Sequence, residues 1–471
     1  MLSRKKRKAI FDVHIESYAA EGKSIAHLDD GKVLFVSNAI PGDVIDVWVT
    51  KEKKQWAEGK LVQLKQPSPH RIDAFCPHFG TCGGCKWQML PYEKQLEFKQ
   101  QQVWDQLSRI GHIELPIPAK ILGSPRQQYY RNKLEFTFSA QRYFTNEELR
   151  TYAGHELPEE HALGFHAPGL FDKVVPIYTC YLQQEPTEKL LRVLRQYTEA
   201  KKLSYYHFRQ QKGWLRNVII RISTTGEVLI NLVVREYKKD ELEIILDHLW
   251  QEIPETTSLH YTINPKVNDS LHDLEVHTYK GKGYIEEQLE DFVFKISPKS
   301  FFQTNSYQAV HLYRKVREFA RLTGNEVVYD LYCGTGSIGI FCARNASKII
   351  GIEVVPEAIE DAKENARING LDHCHFYAGD VASVCTDDFF AQNGKPDVIL
   401  TDPPRAGMHE QLIQQILSLK APRVVYVSCN PATQARDLQL LDAAYKVVAI
   451  QPVDMFPHTH HIENIVLLEL K

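Results

Sequence analysis

The chain has no apolar run near the roughly 18 residues that a membrane-spanning helix needs. Its start, MLSRKKRKAIF, is basic but leads into no apolar signal core, so no export signal is read. Without one the default location is cytoplasmic, and no membrane partner is expected. The nine cysteines are therefore expected as reduced thiols or metal ligands rather than disulfides. There is no internal repeat and no low-complexity segment. Nor is there an excess of one charge, since the net charge is −3, so the whole chain is no general nucleic-acid binder. Residues 1–72 are the exception, with 13 Lys+Arg against 9 Asp+Glu and the run RKKRK at 4–8. Such a run is commonly a solvated tail, but it can also act as an electrostatic arm for phosphates.

What is present is an ordinary globular composition, 43% hydrophobic and 24% charged over 471 residues, enough for two to four domains. Residues 10–66 alternate apolar and polar. AIFDVHIESYA, KVLFVSN, DVIDVWVTK and AEGKLVQLK read as strands, separated by the turns EGKS, LDDGK and IPGD. Short strands at this density predict a small OB-like barrel over 1–68, and KQPSPHR follows as a linker. Residues 69–296 predict a central α+β domain. It opens on a cysteine-rich loop and a helix with Leu96, Val103, Trp104 and Leu107 on its apolar face, and continues as an antiparallel sheet with some helices. From 297 to 471 strands alternate with helices, which predicts an α/β, doubly wound, Rossmann-like domain.

Five motifs carry chemistry. Cys76, Cys82 and Cys85 form C-x5-C-x2-C, with Gly80, Gly83 and Gly84 letting the loop fold tightly. Clustered thiols in a cytosolic chain point to zinc or an iron–sulfur cluster, and the spacing alone leaves both open. Cys180 is the leading fourth ligand and His78 the weaker one. DLYCGTGSIG holds G-x-G-x-x-G at Gly334, Gly336 and Gly339, after a strand and before a helix. Glu353, 19 residues past Gly334, can bind ribose hydroxyls, and Asp380 ends the third strand where an adenine amino group would lie. Each acid could instead be only a helix cap. Asp402 opens the stiff loop DPPRAG at the carboxyl edge of the sheet. Glu463 stands before the last apolar strand, as a general base or a solvated loop acid.

VVYVSCNPAT ends a buried strand on Cys429, followed by Asn430 as helix N-cap and Pro431 at the first helical position. The positive end of that helix is expected to lower the thiol pKa from about 8.5, which suits a nucleophile. The bland alternative is a small buried hydrophobe.

At these residues the chain resembles the RNA uracil-5-methyltransferases, most of all the branch that methylates 23S ribosomal RNA. KSFFQTN, DLYCGTGS, GIE, DPPRAG, SCNP and HIEN follow in the family's order, and the resemblance covers essentially the whole chain. It implies a TRAM RNA-binding domain at the N-terminus, a class I methyltransferase domain at the C-terminus, and S-adenosyl-L-methionine as methyl donor. It implies a [4Fe-4S] cluster held by Cys76, Cys82, Cys85 and Cys180. Gln303, Tyr332, Ser337, Glu353 and Asp380 match cofactor-binding positions, and Asp402 an acid between cofactor and target base. Cys429 matches the nucleophile and Glu463 the base. Tyr332 and Ser337 depart from the family, where many relatives carry Phe and Asn. The implied chemistry is addition of Cys429 to uracil C6 and methylation of C5, followed by proton removal and elimination of the thiol. The implied partner is 23S rRNA, acted on by a monomer. The alternatives are the same chemistry on a transfer RNA uridine, a dinucleotide-dependent iron–sulfur oxidoreductase, and a non-catalytic RNA-binding or cluster-sensing protein.

Overall fold

Three large sheets and one hairpin succeed each other along the chain. In this computed structural model residues 8–153, 155, 157–158 and 160–471 are described, so most of the basic run at 4–8 lies outside the described residues.

The first sheet has six strands in the order Ala9–His14, Val44–Glu52, Trp56–Gln66, Val33–Ser37, Ser24–His27 and Ser17–Tyr18. Its alternating apolar residues gather on one face, where Leu34, Val36, Ile45, Val47 and Val13 are buried together. Three register shifts between Val44–Glu52 and Trp56–Gln66 bend the sheet around that core. The first strand is shorter than expected. Asp12 takes φ 54° and the register slips between Ile10 and Val13, so pairing ends at His14. EGKS is not wholly a turn either, because Ser24 opens a strand and its buried hydroxyl donates to the Ala39 carbonyl at 2.5 Å.

The central sheet has seven strands, ordered Val276–Gly281, Thr256–Ile263, Val228–Val234, Leu215–Ile222, Lys133–Ser139, Ala162–His166 and Val174–Pro176. It is antiparallel except where Val228–Val234 runs parallel to Thr256–Ile263. The sequence gives no sign of that exception. Parallel neighbours need a crossover, and the helix Lys239–Glu252 supplies it. The third sheet is ordered Cys374–Ala378, Lys348–Glu353, Val327–Leu331, Val398–Thr401, Arg423–Ser428, Glu463–Leu470 and Tyr445–Val453. Its first five strands are parallel, as the α/β pattern predicts. Glu463–Leu470 then inserts antiparallel to both of its neighbours.

The helix Tyr92–Gly111 joins the cysteine loop to this third sheet. It buries Tyr92, Gln95, Lys99, Val103 and Leu107, a stripe at helical spacing. Val103 and Leu107 enter the same apolar cluster as Tyr426, Ala435 and Leu438. Trp104 and Leu96 are only half-buried. The polar members of the stripe all have partners. Lys99 donates to Asp454 at 2.5 Å and to the Phe456 carbonyl at 3.1 Å. The Tyr92 hydroxyl donates to Asp454 at 2.8 Å. Gln95 donates to the carbonyls of Trp87 and Leu90 at 3.1 and 2.9 Å, and accepts from the His458 amide at 2.8 Å. The amides of Lys86 and Trp87 donate to the His458 carbonyl at 2.8 and 3.1 Å.

Both side chains of the Lys99–Asp454 pair are fully buried. Lys99→Met leaves the Asp454 carboxylate without its cation and is expected to cost about 3–5 kcal/mol. The double change Lys99→Met/Asp454→Asn is expected to recover much of that loss. Urea unfolding midpoints of the three proteins check this.

Candidate active site

Every parallel strand of the third sheet ends at one edge, and the predicted residues stand along it. Antiparallel pairing sets Arg423 opposite Glu469 and continues to Ser428 opposite Asn464. One step further places Cys429 opposite Glu463. On the other side Thr401 pairs with Tyr426, so Asp402 follows at the same edge. Asn430 caps the helix Pro431–Leu441, its side-chain oxygen accepting from the Ala432 amide at 3.2 Å. The strand-to-helix turn at Cys429 is therefore the one expected.

The electrostatics differ from expectation. The Cys429 thiol is pushed up, from 9.0 to about 11, first by burial and then by the charges of Glu463 and Asp402, with Arg405 opposing. Burial and two acids outweigh the helix terminus, so the free protein holds a thiol and not a thiolate. The acids are shifted as well. Burial raises Asp402 from 3.8 to about 7. Glu463 goes well above 4.5 by burial and by Asp402, again against Arg405. All three groups are thus shifted toward their protonated forms, which suits proton transfer between sulfur and carboxylate.

A second layer pins the loop that carries Asp402 and Arg405. Asn430 and Thr433 donate to the Arg405 carbonyl at 3.0 and 3.2 Å. Buried Asp437 accepts from the Tyr426 hydroxyl at 2.7 Å, the Met408 amide at 2.8 Å and the Arg436 guanidinium at 2.6 Å. Arg436 in turn donates to the Ala406 carbonyl at 3.0 Å. Gln434 bridges the carbonyls of Tyr426 and Asn464 at 3.0 and 3.3 Å, holding the two strands that present Cys429 and Glu463. Sequence reasoning missed Asp437, Gln434 and the role of Arg405. A buried Asp on a helix face is visible only once the packing is known.

The cofactor candidates sit at the other half of the edge. Gly334 and Gly336 take φ 53° and 77°, and a Cβ at Gly336 would come within 2.9 Å of the Phe376 ring. Glu353 accepts from the amides of Gly334 at 3.3 Å and Val355 at 3.1 Å, so its carboxylate lies against the glycine turn. Tyr332 has φ 61°, a conformation uncommon outside glycine. Asp380 follows the strand Cys374–Ala378 as expected. The Ser337 hydroxyl is engaged with the Tyr313 hydroxyl at 2.9 Å. Gln303 is buried, and its carbonyl accepts from Asn132 at 2.9 Å. The Thr335 hydroxyl donates to the Phe301 carbonyl at 3.4 Å, which brings the FFQ segment beside the glycine turn.

Cys76, Cys82 and Cys85 are joined by Cys180 from far along the chain, and all four line one cavity of about 850 Å³. Burial raises Cys85 to about 12 and Cys180 to about 11, and the neighbouring thiols add to both shifts. Gly83 takes φ 72° against Pro168, where a Cβ would lie 2.4 Å from the proline ring. His78 accepts from the Tyr178 amide at 3.3 Å. Among the described residues no three or more His, Cys, Asp or Glu side chains form a group that could hold a metal ion.

The parallel sheet with its reversed strand, glycine turn and edge acids defines a class I S-adenosylmethionine-dependent methyltransferase fold. The family follows from comparison with known proteins. The family model described as tRNA (Uracil-5-)-methyltransferase matches residues 222–471, and the TRAM domain model matches residues 4–62. An uncharacterized RNA methyltransferase of Bacteroides thetaiotaomicron is 52% identical over 96% of this chain and all of its own. One from Chlorobaculum tepidum is 38% identical over 99% of this chain and 97% of its own. The crystal structure of Pyrococcus abyssi tRNA (uracil-54, C5)-methyltransferase, in complex with S-adenosyl-L-homocysteine, superposes with a TM-score of 0.75. It is 30% identical and covers 98% of this chain and 100% of that one. The chain belongs to the RNA uracil-5-methyltransferase family and is an S-adenosylmethionine-dependent RNA methyltransferase with a TRAM domain. Among the described residues no helix is long and apolar enough to cross a membrane.

Because Glu463 holds the Cys429 pKa up and Arg405 holds it down, the two substitutions should act in opposite directions. Glu463→Gln is expected to move the pH profile of Cys429 alkylation to lower pH, and Arg405→Gln to higher pH. Iodoacetamide rates at Cys429, followed by peptide mass spectrometry from pH 7 to 11, check both signs.

Proposed function

We propose that the protein methylates carbon 5 of a uridine in 23S rRNA through a covalent intermediate on Cys429. The observation that carries this reading is the register that sets Cys429 opposite Glu463, with Asp402 at the same sheet edge. The Cys429 sulfur adds to uracil C6 and its proton passes to the carboxylate pair. C5 becomes enolate-like and takes the methyl group from the sulfonium of S-adenosylmethionine. Glu463 then removes the C5 proton, and Cys429 leaves as the C5–C6 double bond re-forms. Asp402 orients the uracil through its N3–H. Raised acids suit these roles, because a carboxyl shifted toward its protonated form can give a proton as well as take one. Gln303, Tyr332, Ser337, Glu353 and Asp380 hold the methyl donor, with the Glu353 carboxylate on its ribose.

The N-terminal domain, 1–68, and the central domain, 69–296, grip the RNA while the target uridine is unstacked into the domain of 297–471. Cys76, Cys82, Cys85 and Cys180 hold a [4Fe-4S] cluster that keeps their loop folded, and no step above needs an electron from it. The protein acts as a cytoplasmic monomer. A transfer RNA uridine is the second reading, favoured by the name of the Pyrococcus abyssi enzyme.

The test is a trap. With S-adenosylmethionine and a 23S transcript containing 5-fluorouridine, elimination stalls because fluorine cannot leave as a proton. A denaturation-resistant protein–RNA adduct is expected from the wild type and none from Cys429→Ala. Adduct formation on transfer RNA alone would move the proposal to the second reading, and no adduct on either would overturn the reaction. On ordinary uridine, Glu463→Gln is expected to accumulate the methylated adduct and to lower turnover about 10²–10⁴-fold. Cys82→Ser is expected to lower iron and sulfide per chain in anaerobically purified protein.

A further inference from the structure

The cavity beside the cysteine quartet contains an arrangement that the reaction above does not use. Antiparallel pairing sets Arg221 directly opposite Lys133 on adjacent central strands, and both side chains line the cavity. Like charges placed opposite each other on one sheet face destabilise a sheet. Here they are also taken out of water. Arg221 is 3% exposed and Lys133 is half-buried. Among the described residues neither belongs to an ion pair, and the Lys133 ammonium has no hydrogen-bond partner. Arg221 spends one guanidinium nitrogen on the Ser300 carbonyl at 2.5 Å, while its buried Nε has no partner.

The acids nearby do not resolve this. Asp269 is paired with Arg216 at 2.8 Å, and burial raises the Glu135 pKa, which favours its neutral form. Asp361, whose charge does act on Arg221, is also raised by burial and accepts from the Ser300 hydroxyl at 2.5 Å rather than from the guanidinium. Burial, followed by Arg221, lowers Lys133 to about 8, and Glu135 opposes this only in part. Arg131 adds positive charge to the same lining. The cavity also reaches Phe301, 70% exposed, and His461, two residues before Glu463. Cys429 itself does not line it.

We propose that Lys133 and Arg221 form a phosphate-binding subsite for a phosphodiester of the RNA strand flanking the target uridine, with Phe301 as a stacking surface for the attached base. An anion between the two cations would turn their repulsion into a shared charge-assisted contact, and among the described residues no carboxylate stands within ion-pair distance of either. This rests on the RNA reading above.

The test uses Lys133, because Arg221 also holds the 298–300 segment. Binding of the full-length protein to the 23S transcript is measured against salt, for the wild type, Lys133→Gln and Lys133→Arg. Lys133→Gln is expected to weaken binding several-fold and to reduce the slope of log K against log salt by about one, as loss of one phosphate contact requires. Its melting temperature is expected to equal or exceed that of the wild type, since a repulsion has been removed. Lys133→Arg is expected to keep both affinity and slope. Unchanged affinity and slope in Lys133→Gln would overturn the subsite, and so would a loss of binding that Lys133→Arg fails to prevent. The fluorouridine trap, run on the same preparations, separates the two claims. A wild type that binds with the full slope but forms no adduct would overturn the reaction and leave the subsite standing.

Discussion

The antiparallel insertion of Glu463–Leu470 between Arg423–Ser428 and Tyr445–Val453 is the constraint on which the site depends. A purely parallel sheet would bring only strand carboxyl ends to this edge. The reversed strand brings an amino end, and so places Glu463 opposite Cys429. Backbone hydrogen bonds define that register, and a slip of one residue would turn Glu463 to the other face of the sheet. Gln434 adds a side-chain lock on the same two strands.

The chain just before Glu463 is held as firmly as the strand that Glu463 opens. The segment from Asp454 to His458 is tied to the helix Tyr92–Gly111 by Lys99, Tyr92 and Gln95. It is tied to the cysteine loop through the Lys86 and Trp87 amides. The cysteine loop is thereby linked by direct hydrogen bonds to the segment that leads into Glu463. A fully buried ion pair adds little net stability, because desolvation offsets most of the attraction. Its value here is positional, since an unpaired Asp454 would be too costly to keep inside.

The electrostatics describe a site at rest. Cys429, Asp402 and Glu463 are all shifted toward their protonated forms, with the Arg405 charge opposing the shift of Cys429 and Glu463. A thiolate kept permanently ready would be open to oxidation and stray alkylation. A thiol held in its protonated form is less open to both. The sequence-based expectation of a lowered pKa considered only the helix terminus, which is a local feature. Burial and the two acids come from other strands and act more strongly.

Much of this was legible in the sequence because it is written locally. Alternation and 3.6-residue spacing marked the three regions. Glycine at positive φ marked the cofactor turn, and Asn-Pro marked the helix start after Cys429. Asp402, Cys429 and Glu463 could be chosen because each sits at the mouth of a recognisable strand. The sequence alone settled the residue types and their order. Only the tertiary structure decided which of them face one another. It reversed the last inserted strand, made one central pair parallel, carried Cys180 to the loop of Cys76, and set Lys133 against Arg221. Strand register and burial arise from contacts between residues far apart in the chain, and no local pattern encodes them.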